Sequence, residues 1–308
     1  MTGLVDVIVG YDCNLACDYC TITPAMRARA LAAPTIVGHL RAGRRDGFDR
    51  VAFTGGEPTI RGELLGLVRA ARQLGFVGVR VQTNGLVLGQ GDNAARLIAA
   101  GCDDLHLSIH THEPSAYDAM VRRPGAYPLL VAGVERAVAT GVPVTLDVIM
   151  TTATVPRLPA AVAWAADRGA VGVDLWLVSL TDGNADHPAS LPRMTAVMPE
   201  VRAARAVAAA RGLRLRSLHL PRCVLGADAD LAYDPGADRV RVVSPDAVFD
   251  LARSRLAGQV FVPACDGCPH RAVCPGLRPD YLARFGDGEI AAARGVAATA
   301  PRRVLPVA

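Results

Sequence analysis

The chain has 308 residues and a net charge of +4, with arginine supplying every cationic side chain because no lysine occurs. So modest a balance argues against a nucleic-acid groove, and pairs such as Arg44-Arg45 and Arg122-Arg123 read as solvated surface. Hydrophobic residues make up 51% and no run is long enough to span a bilayer, so a cytoplasmic protein with a sizeable α/β core is expected, with no membrane or nucleic-acid partner.

Strand-like and helix-like segments alternate from the start. Strands are predicted at Leu4 to Val9, Arg50 to Phe53, Gly78 to Gln82, Leu105 to Ile109, Val142 to Met150 and Gly172 to Leu177. They are short apolar runs, as buried parallel strands are. Helices are predicted around Thr35 to Arg45, Glu63 to Leu74, Asn93 to Ala100, Tyr127 to Thr140, Pro156 to Arg168 and Pro199 to Arg211. Six such units predict an α/β fold, a partial (β/α)6 TIM-like barrel over residues 1–215. Polar and glycine-rich segments follow each strand, which places them on one rim. Beyond about residue 217 the periodicity fades and cysteines and prolines gather. Residues 216–294 are read as a small C-terminal second domain built around a metal site and 295–308 as a loose tail.

Cys13, Cys17 and Cys20 stand at Cys-x3-Cys-x2-Cys spacing directly after the first strand. Three thiolates can ligate three corners of a cubane and leave its fourth iron open. A zinc site would want a fourth Cys or His nearby, and a disulfide knot a small secreted chain. The spacing, with Tyr19 before the last cysteine, resembles the radical S-adenosylmethionine (SAM) superfamily. The resemblance implies a [4Fe-4S] cluster on these three cysteines, with SAM on the open iron through its amino and carboxylate groups. Gly55-Gly56-Glu57-Pro58 follows the second strand. Glycines let a backbone approach a ligand, and a carboxylate can accept from an ammonium group; a structural turn would use the same residues. By resemblance this segment binds the amino group of SAM. The resemblance also implies softer SAM contacts from Gln82, Thr83 and Asn84 and from Ser108. Asp147 either faces the ligand or closes a buried polar network.

Cys265, Cys268 and Cys274 form a second group, with Cys223 upstream. Four cysteines also suit structural zinc. The pattern resembles the auxiliary-cluster domains called twitch and SPASM, and with no cysteine after Cys274 it is closer to the shorter twitch type. The resemblance implies a second, auxiliary [4Fe-4S] cluster. Four ligands would leave no iron open, which favours electron transfer; without Cys223 an open iron could hold substrate. Tyr281, Gly286 and Glu289 are given packing roles. Cys102 precedes the fourth strand, at the rim away from the chemistry, and reads as an inert buried thiol. His110, His112, Asp182, Asn184, Asp186 and His187 lie on the active rim, where each is either a loop hydrogen-bonder or a substrate contact. No catalytic residue is singled out.

The resemblance implies reductive cleavage of SAM to a 5′-deoxyadenosyl radical that takes a hydrogen atom from a small biosynthetic metabolite. Oxidation, bond formation or epimerisation would follow, with a ferredoxin or flavodoxin as low-potential electron donor. One alternative is the same chemistry on a ribosomally made peptide, although a first strand at Leu4 leaves no room for an N-terminal recognition domain. The other is a two-cluster electron carrier, which would need neither the glycine–glutamate segment nor six β/α units.

Overall fold

The structure, a computed structural model, describes residues 3–234, 239–253 and 260–296. Of the expected tail, residues 297–308 lie outside them.

Among the described residues, nine strands form one sheet in the order β7-β6-β5-β4-β3-β2-β1-β8-β9. They are β1 (Gly3–Ile8), β2 (Arg50–Thr54), β3 (Gly78–Thr83), β4 (Asp104–Ser108), β5 (Val144–Met150), β6 (Gly172–Leu177), β7 (Arg214–Leu218), β8 (Arg239–Val243) and β9 (Val248–Asp250). All pairings are parallel except β8 with β9. The helices are α1 (Ala33–Arg45), α2 (Leu64–Gln73), α3 (Asn93–Ala99), α4 (Pro114–Met120), α5 (Ala126–Ala139), α6 (Leu158–Asp167), α7 (Met194–Ala210), α8 (Arg222–Leu225), α9 (Pro279–Phe285) and α10 (Gly288–Arg294). No helix among the described residues is long and apolar enough to cross a membrane.

Strand alternation sorts the side chains into two faces. Val5, Val7, Val51, Phe53, Val79, Val81, Leu105, Leu107, Leu146 and Val148 are buried in the main core. Gly43 of α1 sits where a Cβ would stand 2.7 Å from Val5 Cγ2, so α1 lies close against that face. The opposite face is polar. Register pairs Ser108 with Asp147, Asp147 with Asp174, and Asp174 with Arg216, which lines these four along one row.

The six expected β/α units are present. The seventh strand was not expected, because Arg214-Leu215-Arg216-Ser217-Leu218 lacks an apolar run. Its arginines face the polar side and its ladder to β6 makes it a strand. Helix α7 starts five residues before Pro199, where its expected first turn lay. Its early start has partners: Met194 N–H donates to Tyr281 Oη at 2.9 Å and Thr195 N–H to Glu289 Oε1 at 3.0 Å. A proline normally interrupts a helix interior, and these contacts hold the turn ahead of it.

The segment beyond residue 216 is also structured. β8 lies beside β1, so part of it extends the main sheet. Arg278, 7% exposed, fixes the rest: its guanidinium donates to Leu177 O at 2.8 Å and Val178 O at 2.7 Å. Asp280 accepts from Leu180 N–H at 2.8 Å. These bonds tie the start of α9 to the carboxyl end of β6.

Candidate cofactor site

The loop after β1 carries Cys13, Cys17 and Cys20, all partly exposed and none in a disulfide. Two of the three sulfurs have a backbone donor two residues on. Leu15 N–H reaches Cys13 Sγ and Ile22 N–H reaches Cys20 Sγ, both at 3.4 Å. Burial pushes the Cys17 thiol up to about 12 and raises Cys13 as well. Arg27 fastens the loop, donating to Cys13 O at 2.9 Å and Leu15 O at 2.5 Å, and Arg123 donates to Asn14 O at 3.2 Å. Backbone carbonyls are thus drawn toward guanidinium groups while N–H groups turn to the sulfurs.

The Gly55-Gly56-Glu57-Pro58 segment crosses this loop. Gly56 N–H donates to Gly10 O at 2.9 Å and Glu57 N–H to Asp12 O at 2.8 Å. A Cβ at Gly56 would stand 2.1 Å from Asp12 O, and one at Gly55, whose φ is +127°, would stand 2.3 Å from Gly10 O. The close approach that requires both glycines is therefore to the cysteine loop itself. Glu57, 2% exposed, turns inward. Its Oε1 accepts from Thr59 N–H at 2.9 Å and Thr83 Oγ1 at 2.6 Å, and its Oε2 from Asn84 N–H at 2.7 Å. Burial raises its carboxyl and these donors oppose the rise. Asn84 Nδ2 donates to Asn14 Oδ1 at 2.7 Å. One buried carboxylate and one amide thus join the loops after β1, β2 and β3. Pro58 begins the short turn Pro58–Ile60 behind it.

Gln82, Ser108 and Asp147 lie on the polar face of three neighbouring strands. Asp147, 1% exposed, accepts from Gln82 Nε2 at 3.0 Å and Trp176 Nε1 at 3.1 Å. It therefore closes a buried polar network, one of the two readings its sequence position left open. His106, Asp147 and Asp174 stand close enough to share an ion. Their oxygens already have donors from the chain, including Arg216 to Asp174 at 2.9 and 2.6 Å. Burial raises the Asp174 carboxyl, but the Arg216 hydrogen bonds and the charges of Arg216 and Arg214 prevail and hold it below its usual range.

Among the rim residues, His110 is buried and bonds Tyr19; sequence reading placed it at the rim without finding this partner. Gly183 N–H donates to Thr21 O at 2.8 Å, which brings the turn Asp182–Asn184 against the end of the cysteine loop. Cys102 is buried before β4, and burial pushes its thiol up to about 12.

Cys223, Cys265, Cys268 and Cys274 line one cavity. Cys223 follows β7, and the others precede the Arg278 anchor at the end of β6, so this second group lies at the same rim as the first. Gly276 N–H donates to Cys274 Sγ at 3.4 Å. Arg222, Arg271 and Arg294 also line the cavity, and the buried Nε of Arg222 has no partner among the described residues.

Two cysteine-lined sites thus lie at the carboxyl rim of a mostly parallel sheet in an α/β fold. Residues 7–157 match the family model described as Radical SAM superfamily. Those residues thus carry a radical SAM domain. A probable GTP 3',8-cyclase of Methanopyrus kandleri is 34% identical over 165 residues, 53% of this chain and 52% of that protein. Molybdenum cofactor biosynthesis protein 1 of Homo sapiens is 31% identical over 140 residues, 42% of this chain and 21% of that protein. The chain spans about half the length of the cyclases it matches. Streptococcus suis SuiB superposes with a TM-score of 0.66 at 13% identity, over 94% of this chain and 72% of that chain. Methylornithine synthase (PylB) superposes with a TM-score of 0.54 at 13% identity, over 71% of this chain and 65% of that chain. At such identity these likenesses speak to the fold.

Proposed function

We propose that this enzyme binds a [4Fe-4S] cluster on Cys13, Cys17 and Cys20, cleaves SAM reductively, and takes a hydrogen atom from a small biosynthetic metabolite. The observation that carries the reading is the joining of the three loops by Glu57 and Asn84 around the partly exposed thiols. When bound, the cluster supplies the electron that splits SAM, and SAM supplies the 5′-deoxyadenosyl radical. The chain's part is to hold and orient. Gly55, Gly56, Glu57 and Pro58 set the rim beside the thiols. Glu57 acts through that rim, since its carboxylate is engaged by Thr59, Thr83 and Asn84. Gln82, Asn84, Ser108 and Asp147 would line the SAM side of the polar face, curved as a partial barrel.

Cys223, Cys265, Cys268 and Cys274 would hold an auxiliary cluster in a small C-terminal, twitch-like unit. The donor set fits. Among the described residues no three of these thiols come within 4.8 Å of one another, whereas a single tetrahedral zinc needs its sulfurs that close. With four thiols the site has an electron-transfer role, which suits a net oxidation or bond formation. A ferredoxin or flavodoxin would deliver the first electron. Because the relatives are named GTP 3',8-cyclases, GTP is the substrate to try first.

The test is iron and sulfide content after anaerobic reconstitution, with 5′-deoxyadenosine measured after addition of SAM, dithionite and GTP. About eight irons, falling to about four in the Cys13→Ala/Cys17→Ala/Cys20→Ala variant, with 5′-deoxyadenosine lost, are expected. About four falling to none would remove the auxiliary cluster. Cleavage of SAM with no change to GTP would send the search to other metabolites, and turnover of a peptide instead would overturn the metabolite reading.

A further inference from the structure

The thiols of the first site hang on a loop whose neck is an antiparallel pair. Tyr11 N–H donates to Arg29 O at 3.1 Å and Leu31 N–H to Val9 O at 3.0 Å, with Gly10 opposite Ala30. Cys13, Cys17 and Cys20 all lie between the two sides of that neck. Arg61, from the segment after β2, grips both sides, donating to Val9 O and, at 3.0 Å, to Leu31 O. A second grip comes from much further along the chain. The turn between β8 and β9, Ser244-Pro245-Asp246-Ala247, is tightly built. Ser244 N–H donates to Ala247 O at 2.9 Å, and Ser244 Oγ accepts from Asp246 N–H at 3.3 Å and from Ala247 N–H at 3.0 Å. So held, Asp246 meets both sides of the neck at once. Its Oδ2 accepts from Tyr11 Oη at 2.7 Å and its Oδ1 from Arg29 Nη1. The Arg29 guanidinium also lies over the Tyr11 ring, 5.4 Å from its centre. An exposed ion pair alone contributes little. Here Tyr11 is 7% exposed, and its hydroxyl bonds a charged acceptor, which is the stronger class of hydrogen bond.

We propose that Asp246 is a positioning residue for the first site, a clasp that keeps the neck of the cysteine loop shut and so holds its three thiols in place for one cluster. Opening of such a loop is a local event, and its population is set by the few bonds that break. One carboxylate bonded to both sides of the neck supplies two of them. The role toward a cluster rests on the ligation by Cys13, Cys17 and Cys20 proposed above; the clasp itself does not.

The test is alkylation of the unloaded full chain at one fixed pH, followed cysteine by cysteine by mass spectrometry. The unaltered chain is compared with Asp246→Ala, Asp246→Asn and Tyr11→Phe. Asp246→Ala loses both bonds and should speed alkylation of Cys13, Cys17 and Cys20 about tenfold. Asp246→Asn keeps an acceptor without the charge, and Tyr11→Phe keeps the ring without the hydroxyl, so each should give about threefold. Cys102, buried before β4, should keep its rate. Adding Tyr11→Phe to Asp246→Ala should change nothing further, since the bond is already cut. Unmoved rates at the three thiols in Asp246→Ala overturn the clasp. A rise shared equally by Cys102 also overturns it, because that is lost stability of the whole fold and not the opening of one neck. The second arm is release of iron to a fixed chelator after anaerobic reconstitution. The irons that the Cys13→Ala/Cys17→Ala/Cys20→Ala variant lacks should leave about threefold faster or more in Asp246→Ala, and an unmoved release rate overturns the positioning role. If the unaltered chain takes up no iron at those thiols, the functional reading falls and the alkylation alone decides the clasp.

Discussion

Gly56 and Gly38 show how differently the same residue can be constrained. Gly38 in α1 has nothing within 4 Å of its absent Cβ, so Gly38→Ala should raise stability by about 0.5–1 kcal/mol, read as a higher Tm. At Gly56 the added methyl meets Asp12 O at 2.1 Å. Gly56→Ala should cost about 1–3 kcal/mol as overpacking and displace the cysteine loop, with iron retained after reconstitution falling well below that of Gly38→Ala. The cysteines carry their own pH dependence. Burial holds Cys13 and Cys17 protonated at neutral pH, the latter up to about 12, while ligation requires the thiolate. Loading therefore releases protons, and cluster retention against a fixed chelator should be greater at about pH 8.5 than at about pH 7. The cysteine spacing and the glycine–glutamate segment were legible in the sequence because they are contiguous. That the glycines serve a crossing of two loops, and that Glu57 faces inward, were not legible: both depend on which loop lies beneath.

Among elements, α7 and the row across β5, β6 and β7 hold the sharpest tests. Tyr281 Oη and Glu289 cap the first turn of α7 from another part of the chain, and Tyr281 Oη also bonds Glu289 Oε2. Glu289→Ala should cost about 1 kcal/mol, as lost caps do, and Glu289→Gln less, since it keeps an acceptor. Chemical denaturation of the two variants measures the difference. Asp174 has its carboxyl held below 3.8, so its pairing stabilises the fold above that value and is lost as pH falls through the lower folded one. Asp174→Asn should cost about 2 kcal/mol near neutral pH, less than a fully buried pair because the arginines are partly exposed, and the gap to the unaltered chain should narrow as pH falls through the acid range. Apolar strands such as β1 and β6 announce themselves by composition. β7 does not, because a strand facing a polar interior carries arginines, and the start of α7 was hidden by Pro199 because its caps lie more than 80 residues away.

For the whole molecule, the arrangement of the strands matters more than any one of them. β1 is the inner strand whose carboxyl end bears the first cysteine loop, and one of its two neighbours, β8, comes from the far end of the sequence. Removing everything after residue 215 would leave β1 with an open edge of unpaired backbone groups, so that truncated chain should aggregate where the full chain stays dispersed, as light scattering would report. The alternation of elements let six neighbouring units be anticipated in outline; the return of β8 could not be, since Arg239-Val240-Arg241-Val242-Val243 names no partner. That return also sets an order of events. Strands β1 to β6 each lie beside their successor, so β1 to β7 can assemble as the chain leaves the ribosome, while β1 gains its second neighbour only after more than 230 residues have followed it. Of these nine strands, the one earliest in the chain is completed last, and in that interval the cysteine loop it carries stands at the edge of a growing sheet.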